Sequence, residues 1–174
     1  MTASTPNYHK IGWKQVDHDT GLLLEYLREF QEKHKKTFRV IAAVTRGGLF
    51  PGGLVSYATG ITDVGTICIT SYKGTKQIKP SIRHDLAPTF LPLIGKGGKH
   101  LLVVDDLSDG GETISVIRER YPKATFIAPY VKSKESGLKV LDAWAVQIPE
   151  STWYAFIWSK REKNSAVKKP KKNK

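Results

Sequence analysis

Apolar residues fall into two rhythms along this chain. Leu22, Leu23, Tyr26, Leu27 and Phe30 recur at helical spacing behind Asp17 and Asp19, which predicts an amphipathic helix capped by one of those aspartates and ending near Lys36. Phe38 to Val44 is instead a continuous run of β-branched and small apolar residues that stops at Thr45-Arg46-Gly47-Gly48. It reads as a buried strand feeding a glycine turn. Pro51 suits the first turn of a second helix and Gly60 its end. Further strands are expected over Val64 to Ser71, His100 to Val104, Thr125 to Val131 and Val140 to Ile148, and a helix bearing Ile114, Ile117 and Tyr121 is stopped by Pro122. From Tyr72 to Lys99 the periodicity dissolves into lysines, three prolines and a glycine cluster, as a long functional loop does. Pro149 to Trp158 is aromatic but aperiodic, and the polar start, Met1 to Lys10, carries no expected element.

Strands that alternate with helices predict an α/β fold, a mainly parallel sheet flanked by helices. In such sheets ligands bind at the carboxyl ends of the strands, and both glycine turns fall there. The charge is less informative than its total. Lys and Arg number 28 against 16 Asp and Glu, a net of +12, but the segment 160–174 holds eight basic residues and one acid, leaving only +5 for the other 159 residues. The expected organisation is therefore one domain over 1–159 and a basic tail over 160–174 without regular structure. The concentration of charge in the tail weakens the case for a nucleic-acid-binding fold. No apolar run reaches the roughly 18 to 20 residues of a membrane span. A cytoplasmic protein is expected, with the single cysteine, Cys68, reduced and buried.

The chemistry gathers in Val103-Val104-Asp105-Asp106-Leu107-Ser108-Asp109-Gly110-Gly111-Glu112-Thr113. A buried strand delivers two adjacent carboxylates, then a small-residue turn opens a helix whose free N–H groups can hold a phosphate. The carboxylates suit ribose hydroxyls or hydrated Mg²⁺. On pattern alone an equal reading is that Asp109 caps the helix and the aspartate pair is solvated at a strand end.

This stretch resembles the phosphoribosyl-diphosphate motif of type I phosphoribosyltransferases. Ile41 to Gly52, Cys68 to Tyr72, Arg118 to Ala124 and Ile148 to Trp153 add a collinear similarity to the bacterial xanthine-guanine phosphoribosyltransferases, from about Trp13 to Trp158. The resemblance implies a type I fold with a small hood region and a flexible loop. It implies transfer of 5-phosphoribosyl from phosphoribosyl diphosphate to N9 of a 6-oxopurine (guanine or xanthine, with hypoxanthine open), in a homotetramer or homodimer. Asp105 and Asp106 match the pair that holds the ribose hydroxyls and Mg²⁺, and Asp109 matches the acid that assists the purine ring nitrogens. Gly110, Gly111, Glu112 and Thr113 occupy the 5′-phosphate turn. Thr45, Arg46 and Gly47 match the diphosphate loop, whose first peptide is commonly cis, and Arg46 is also counted with the catalytic residues. Lys132 matches the donor to the purine 6-oxygen, Trp153 the aromatic that stacks on the base, and Tyr154 lies in the segment that reads base position 2. Ser71 and Tyr72 match the start of the flexible loop.

Without the resemblance, Arg46 would be a solvated turn residue, Lys132 a surface lysine and Trp153 ordinary core. Three positions depart from the family: Glu112 replaces Gly or Lys in the phosphate turn, Gly110 replaces a Thr, and Ser133-Lys134-Glu135-Ser136-Gly137 replaces a proline-containing segment. The rival expectation is a non-catalytic nucleotide-sensing regulator whose basic tail binds nucleic acid. Contact of that tail with an anionic membrane is a weaker variant.

Overall fold

The computed structural model describes residues 7–73 and 76–159, without the side chains of residues 7, 8 and 71–78; the basic segment 160–174 lies outside the described residues. Chain order is β1 (Asn7–Ile11), α1 (Trp13–His34), β2 (Val40–Thr45), α2 (Leu49–Thr59), β3 (Val64–Lys73), β4 (Lys76–His84), α3 (Leu91–Ile94), β5 (Leu101–Val104), β6 (Leu107–Ser108), α4 (Glu112–Arg120), β7 (Thr125–Lys132), α5 (Glu135–Lys139), β8 (Ala143–Ile148) and β9 (Thr152–Phe156).

Strands β3, β2, β5 and β7 lie side by side and parallel, β4 adds an antiparallel edge to β3, and β8 runs parallel along the other side of β7. The central strands read as unbroken apolar runs because both faces are covered. Val40, Ala42 and Val44 join Leu101, Val103, Phe126 and Ala128 under Ile114 and Ile117 of α4, while the alternate residues Ile41, Leu102, Val104 and Ile127 pack against Leu23 and Leu27 of α1 and Val55 of α2. This is the period-two partition that a sheet between two helical layers requires.

Strand β2 leads through α2 to β3 on one side, and β5 leads through α4 to β7 on the other. The order therefore reverses between β2 and β5, and a crevice opens beyond their carboxyl ends. Strand β6 pairs with β7 at Tyr130 and Val131, where β8 takes the opposite edge of β7, so β6 continues on the side that β5 occupies farther back. The chain leaves the sheet after Val104 and rejoins it at Leu107, and Asp105 and Asp106 sit in that break.

Several local expectations are corrected. The N-cap of α1 is Gly12, not Asp17 or Asp19. Asp19 is buried, and its carboxylate accepts from the Tyr130 hydroxyl at 2.7 Å and the Gln15 amide at 2.7 Å. Burial and that carboxylate push the Tyr130 phenol far above its usual range. The buried face of α1 begins at Val16, about two turns before the stripe that the sequence displays most clearly. The stretch after Tyr72 contains a strand that was not expected: β4 pairs with β3 from Lys73↔Lys76 to Cys68↔His84, with two register shifts. Segments β1 and β9, read as featureless, form a separate two-stranded parallel sheet, Asn7 to Ile11 against Thr152 to Phe156, the small hood of the fold. Cys68 is half-buried and unpaired with any other sulfur. No helix among the described residues is long and apolar enough to cross a membrane.

Asp85, beyond β4, ties the edge of the sheet to the end of α4. It accepts from the Tyr121 hydroxyl at 2.6 Å, Arg120 Nε at 3.1 Å and the Leu86 N–H at 2.8 Å. Burial alone would raise its pKa, but those donors outweigh it and hold the carboxyl below its ordinary value; burial and Asp85 push Tyr121 up to about 12. A depressed carboxyl stabilises the fold above its unfolded value, about 3.9, and the contribution is lost as pH falls through the folded value. Asp85→Asn should therefore cost about 1 kcal/mol at pH 7, a fall of about 2–4 °C in melting temperature. In thermal melts down to about pH 2.5 the gap from the native chain should narrow as pH falls below the unfolded value; a gap that persists unchanged in acid would assign the effect to packing.

Candidate active site

The two glycine turns face one another across the crevice. A cavity of about 620 Å³ is walled by Arg46 and Gly47 from the turn after β2, Asp106 and Asp109 from the turn after β5, Lys132 at the end of β7, and Trp153, Tyr154 and Trp158 around β9. Residues spread over more than a hundred positions of sequence meet here because each lies at the carboxyl end of a strand or in the hood above it.

In the first turn the Thr45–Arg46 peptide is cis, as the resemblance leads one to expect. Glycine is required next to it for steric reasons. A Cβ on Gly47 would overlap the Asp106 carboxylate, and one on Gly48 would strike the carbonyl oxygens of Val104 and Val44. The diphosphate-loop candidates and the acidic pair are thus in direct apposition.

The acidic pair is enclosed, contrary to a solvated strand end. Asp105 is buried and its Oδ1 accepts the Asp106 N–H at 2.9 Å; Trp158 Nε1 donates to Asp106 Oδ2 at 3.3 Å. Burial raises both pKa values, Asp105 most, and the neighbouring Asp106 charge raises Asp105 further. No group of three or more His, Cys, Asp or Glu poised for a metal occurs among the described residues. Two adjacent carboxylates with no histidine or cysteine clustered with them nonetheless fit Mg²⁺, which binds through one or two carboxylates and fills its shell with water and substrate phosphate.

Asp109 is not the helix cap. The N-cap of α4 is Gly111, with φ 85° and no capping side chain. Asp109 Oδ1 accepts from Lys134 Nζ at 2.8 Å, and its Oδ2 lies 3.9 Å from Lys132 Nζ. The hydrogen bond and charge of Asp109 raise the Lys134 pKa, with Glu150 and Glu112 adding to it. The Glu112 side chain folds back over the turn, its carboxylate against Gly110. Gly110, Gly111, Glu112 and Thr113 line a second, smaller hollow together with Asp105.

Burial inverts the ordinary expectation for the two base-binding candidates. Lys132 is only 5% exposed and Trp153 is 56% exposed. Lys132 Nζ donates to the Glu150 carbonyl at 2.9 Å and stands 5.8 Å from the Trp153 ring centroid. A buried ammonium beneath an exposed indole is costly as mere packing, and suits a ligand that brings an acceptor and a flat face. Tyr154 lines the same cavity and meets Tyr130 edge-on at 5.2 Å. Ser71 and Tyr72 fall on the outer part of β3; their side chains lie outside the described residues. Lys134 and Trp158 were not singled out as site residues by sequence reasoning. Trp158 stacks between Phe50 at 4.5 Å and Phe156 at 4.7 Å, and its one sign in the sequence was its place in the aromatic, aperiodic segment Pro149 to Trp158.

No family model matches the chain. Curated relatives do; among them, the xanthine-guanine phosphoribosyltransferase of Cereibacter sphaeroides is 33% identical over 148 residues, covering 85% of this chain and 84% of that protein. That of Gluconobacter oxydans is 32% identical over 158 residues, covering 91% and 88%. Among solved structures, a purine phosphoribosyltransferase from Pyrococcus horikoshii superposes with a TM-score of 0.62 at 28% identity, over 87% of this chain and 93% of that one. With about a third of the aligned residues identical across most of this chain and of each relative, and Arg46, Asp106, Asp109, Lys132 and Trp153 converging on one crevice, the chain belongs to the xanthine-guanine phosphoribosyltransferase family of purine phosphoribosyltransferases.

Proposed function

We propose that this protein transfers the 5-phosphoribosyl group of phosphoribosyl diphosphate to N9 of a 6-oxopurine, guanine or xanthine foremost, releasing diphosphate and the nucleoside 5′-monophosphate in purine salvage. One observation carries the choice of acceptor: buried Lys132 faces Asp109 beneath exposed Trp153, in the cavity that also holds Arg46 and Asp106. A base stacked on Trp153 offers its 6-oxygen to the Lys132 ammonium and its N7 to the Asp109 carboxylate, while Tyr154 and its neighbours meet position 2. The N9 lone pair forms the bond to ribose C1′, and the bond from C1′ to the diphosphate oxygen breaks with its electron pair leaving on that oxygen. The N7 proton passes to Asp109.

Asp105 and Asp106 flank the cation-like ribose and bind its hydroxyls. Arg46, with the backbone of Thr45 and Gly47, binds the diphosphate, and the N–H groups of Gly110, Gly111, Glu112 and Thr113 receive the 5′-phosphate at the start of α4. Asp105 and Asp106 are also the residues that would hold Mg²⁺, which when bound neutralises charge on the leaving diphosphate. The β3–β4 hairpin, entered through Ser71 and Tyr72, is the segment to cover the site against water. The working unit in this reading is the domain over 1–159, in the cytoplasm, with the basic tail outside it. Exposed Leu49, Phe50 and Tyr57 along α2, the last 94% exposed, supply an apolar surface for a homodimer or homotetramer.

The test is product formation from phosphoribosyl diphosphate and Mg²⁺ with guanine, xanthine, hypoxanthine, adenine and uracil in turn. Turnover of guanine and xanthine with little from adenine or uracil is expected. Nucleotide binding without turnover of any base would give the regulator instead.

A further inference from the structure

Asp109 meets two lysines, and the family resemblance accounts for only one of them. Lys134 lies in the segment where this chain departs from the family, yet it makes the shorter contact, 2.8 Å to Oδ1 against 3.9 Å from Lys132 to Oδ2. We propose that Lys134 is a positioning residue: it pins Oδ1 of Asp109, so that Oδ2 is the oxygen turned toward Lys132 and offered to the purine. The proposal rests on the reading of Asp109 and Lys132 as base-binding residues.

The backbone around Lys134 is held from several sides, which makes the pin a fixed one. Ser133 donates its N–H to the Ile148 carbonyl at 2.8 Å and its hydroxyl to the same oxygen at 2.9 Å. The short helix α5 that follows is pressed onto the Asp109 turn. Ser108 Oγ donates to the Gly137 carbonyl at 3.3 Å. A Cβ on Gly137 would overlap the Asp109 carbonyl oxygen, and one on Gly111 would strike the Ser136 carbonyl oxygen at 2.7 Å. Turn and helix therefore approach through bare backbone, and the Lys134 and Asp109 main chains stand at a set separation. Their side chains close the gap.

The consequence is chemical. A carboxylate on a glycine-rich turn has two equivalent oxygens and a free rotation that exchanges them. With Oδ1 occupied by a cation, Oδ2 is left as an acceptor beside the Lys132 ammonium, a donor that gives a hydrogen bond to the Glu150 carbonyl. A neighbouring acceptor and donor complement a 6-oxopurine carbonyl and the protonated N7 next to it. The charges that act on Lys134 besides Asp109 are Glu150 before the hood and Glu112, the carboxylate that the phosphate turn carries in place of Gly or Lys. Lys134 is the N-cap of α5 but makes no side-chain cap bond, and its side chain is 39% exposed. Its replacement should leave the fold intact.

The test compares the full-length native chain, Lys134→Met and Lys134→Arg by steady-state kinetics with guanine, the free base that can carry the N7 proton, and phosphoribosyl diphosphate. Exposed ion pairs are modest, so Lys134→Met should raise the Michaelis constant for guanine by about two- to fivefold. The Michaelis constant for phosphoribosyl diphosphate and the melting temperature should stay as in the native chain, and Lys134→Arg should use guanine nearly as the native chain does. An equal rise for both substrates, or no rise, would overturn the positioning role while leaving the base site standing. Failure of the native chain to turn over guanine would refute the base site and the positioning role together.

Discussion

Asp109→Asn is expected to lower turnover with guanine by about 100-fold, the usual size of a lost general acid–base group. Its melting temperature should hardly move. The two halves of this expectation come from different features. The structural half follows because Gly111, not Asp109, caps α4, and because the Asp109 side chain is 46% exposed, so water can take over from the carboxylate toward Lys132 and Lys134. An asparagine oxygen can still accept from either ammonium. The chemical half follows because an amide cannot take the N7 proton when N9 bonds to C1′. Steady-state kinetics with guanine beside a thermal melt would check both. Unchanged turnover would reduce Asp109 to a partner for two lysines, and a large loss of stability would make it a structural residue of the turn.

The second large effect is expected at Gly47→Ala. The added methyl would fall on the Asp106 carboxylate, and moving that carboxylate aside disturbs the bond that it accepts from the Trp158 indole N–H. A misplacement on the order of 1 Å in a catalytic group can cost about 100-fold, and here both the diphosphate loop and the acidic pair are displaced. Turnover should fall by about that factor, with the Michaelis constant for phosphoribosyl diphosphate rising more than that for guanine. Gly53→Ala is the matched control. It lies in α2, a Cβ there meets nothing within 4 Å, and replacing a helical glycine should gain stability by about 0.5–1 kcal/mol with activity retained. Equal behaviour of the two variants would show that the crowding at Gly47 is relieved without harm.

What sequence reasoning could reach depended on how local the cause was. Strand β5 and the turn after it were legible because a four-residue apolar run, two acids and two glycines act within one short segment. Gly60 ends α2 in the left-handed conformation, φ 72°, and that too is a local demand. The hood was invisible for the opposite reason: β1 and β9 pair across some 145 positions, and neither half has a face whose pattern betrays the other. Strand β4 was hidden because it is a half-exposed edge, where lysines and a proline are tolerated. The cap of α1 was misplaced because Asp19 is polar for a tertiary reason, the hydroxyl of Tyr130. At the site, Lys132 and Trp153 acquired their roles through resemblance alone; their exposures, inverted from the usual order, are properties of the folded crevice. Lys134 drew notice only as part of a divergent segment, since the carboxylate that it meets lies 25 residues earlier.

Trp158 has one more consequence. Its indole is clamped between Phe50 and Phe156 and donates to a carboxylate of the acidic pair, so a chromophore of the chain is wired to the place where the ribose and a divalent cation would be received. Any event that changes the charge on Asp106 changes the electric field at that ring. The protein thus carries its own optical gauge of occupancy, readable from ultraviolet emission without a dye or a coupled assay.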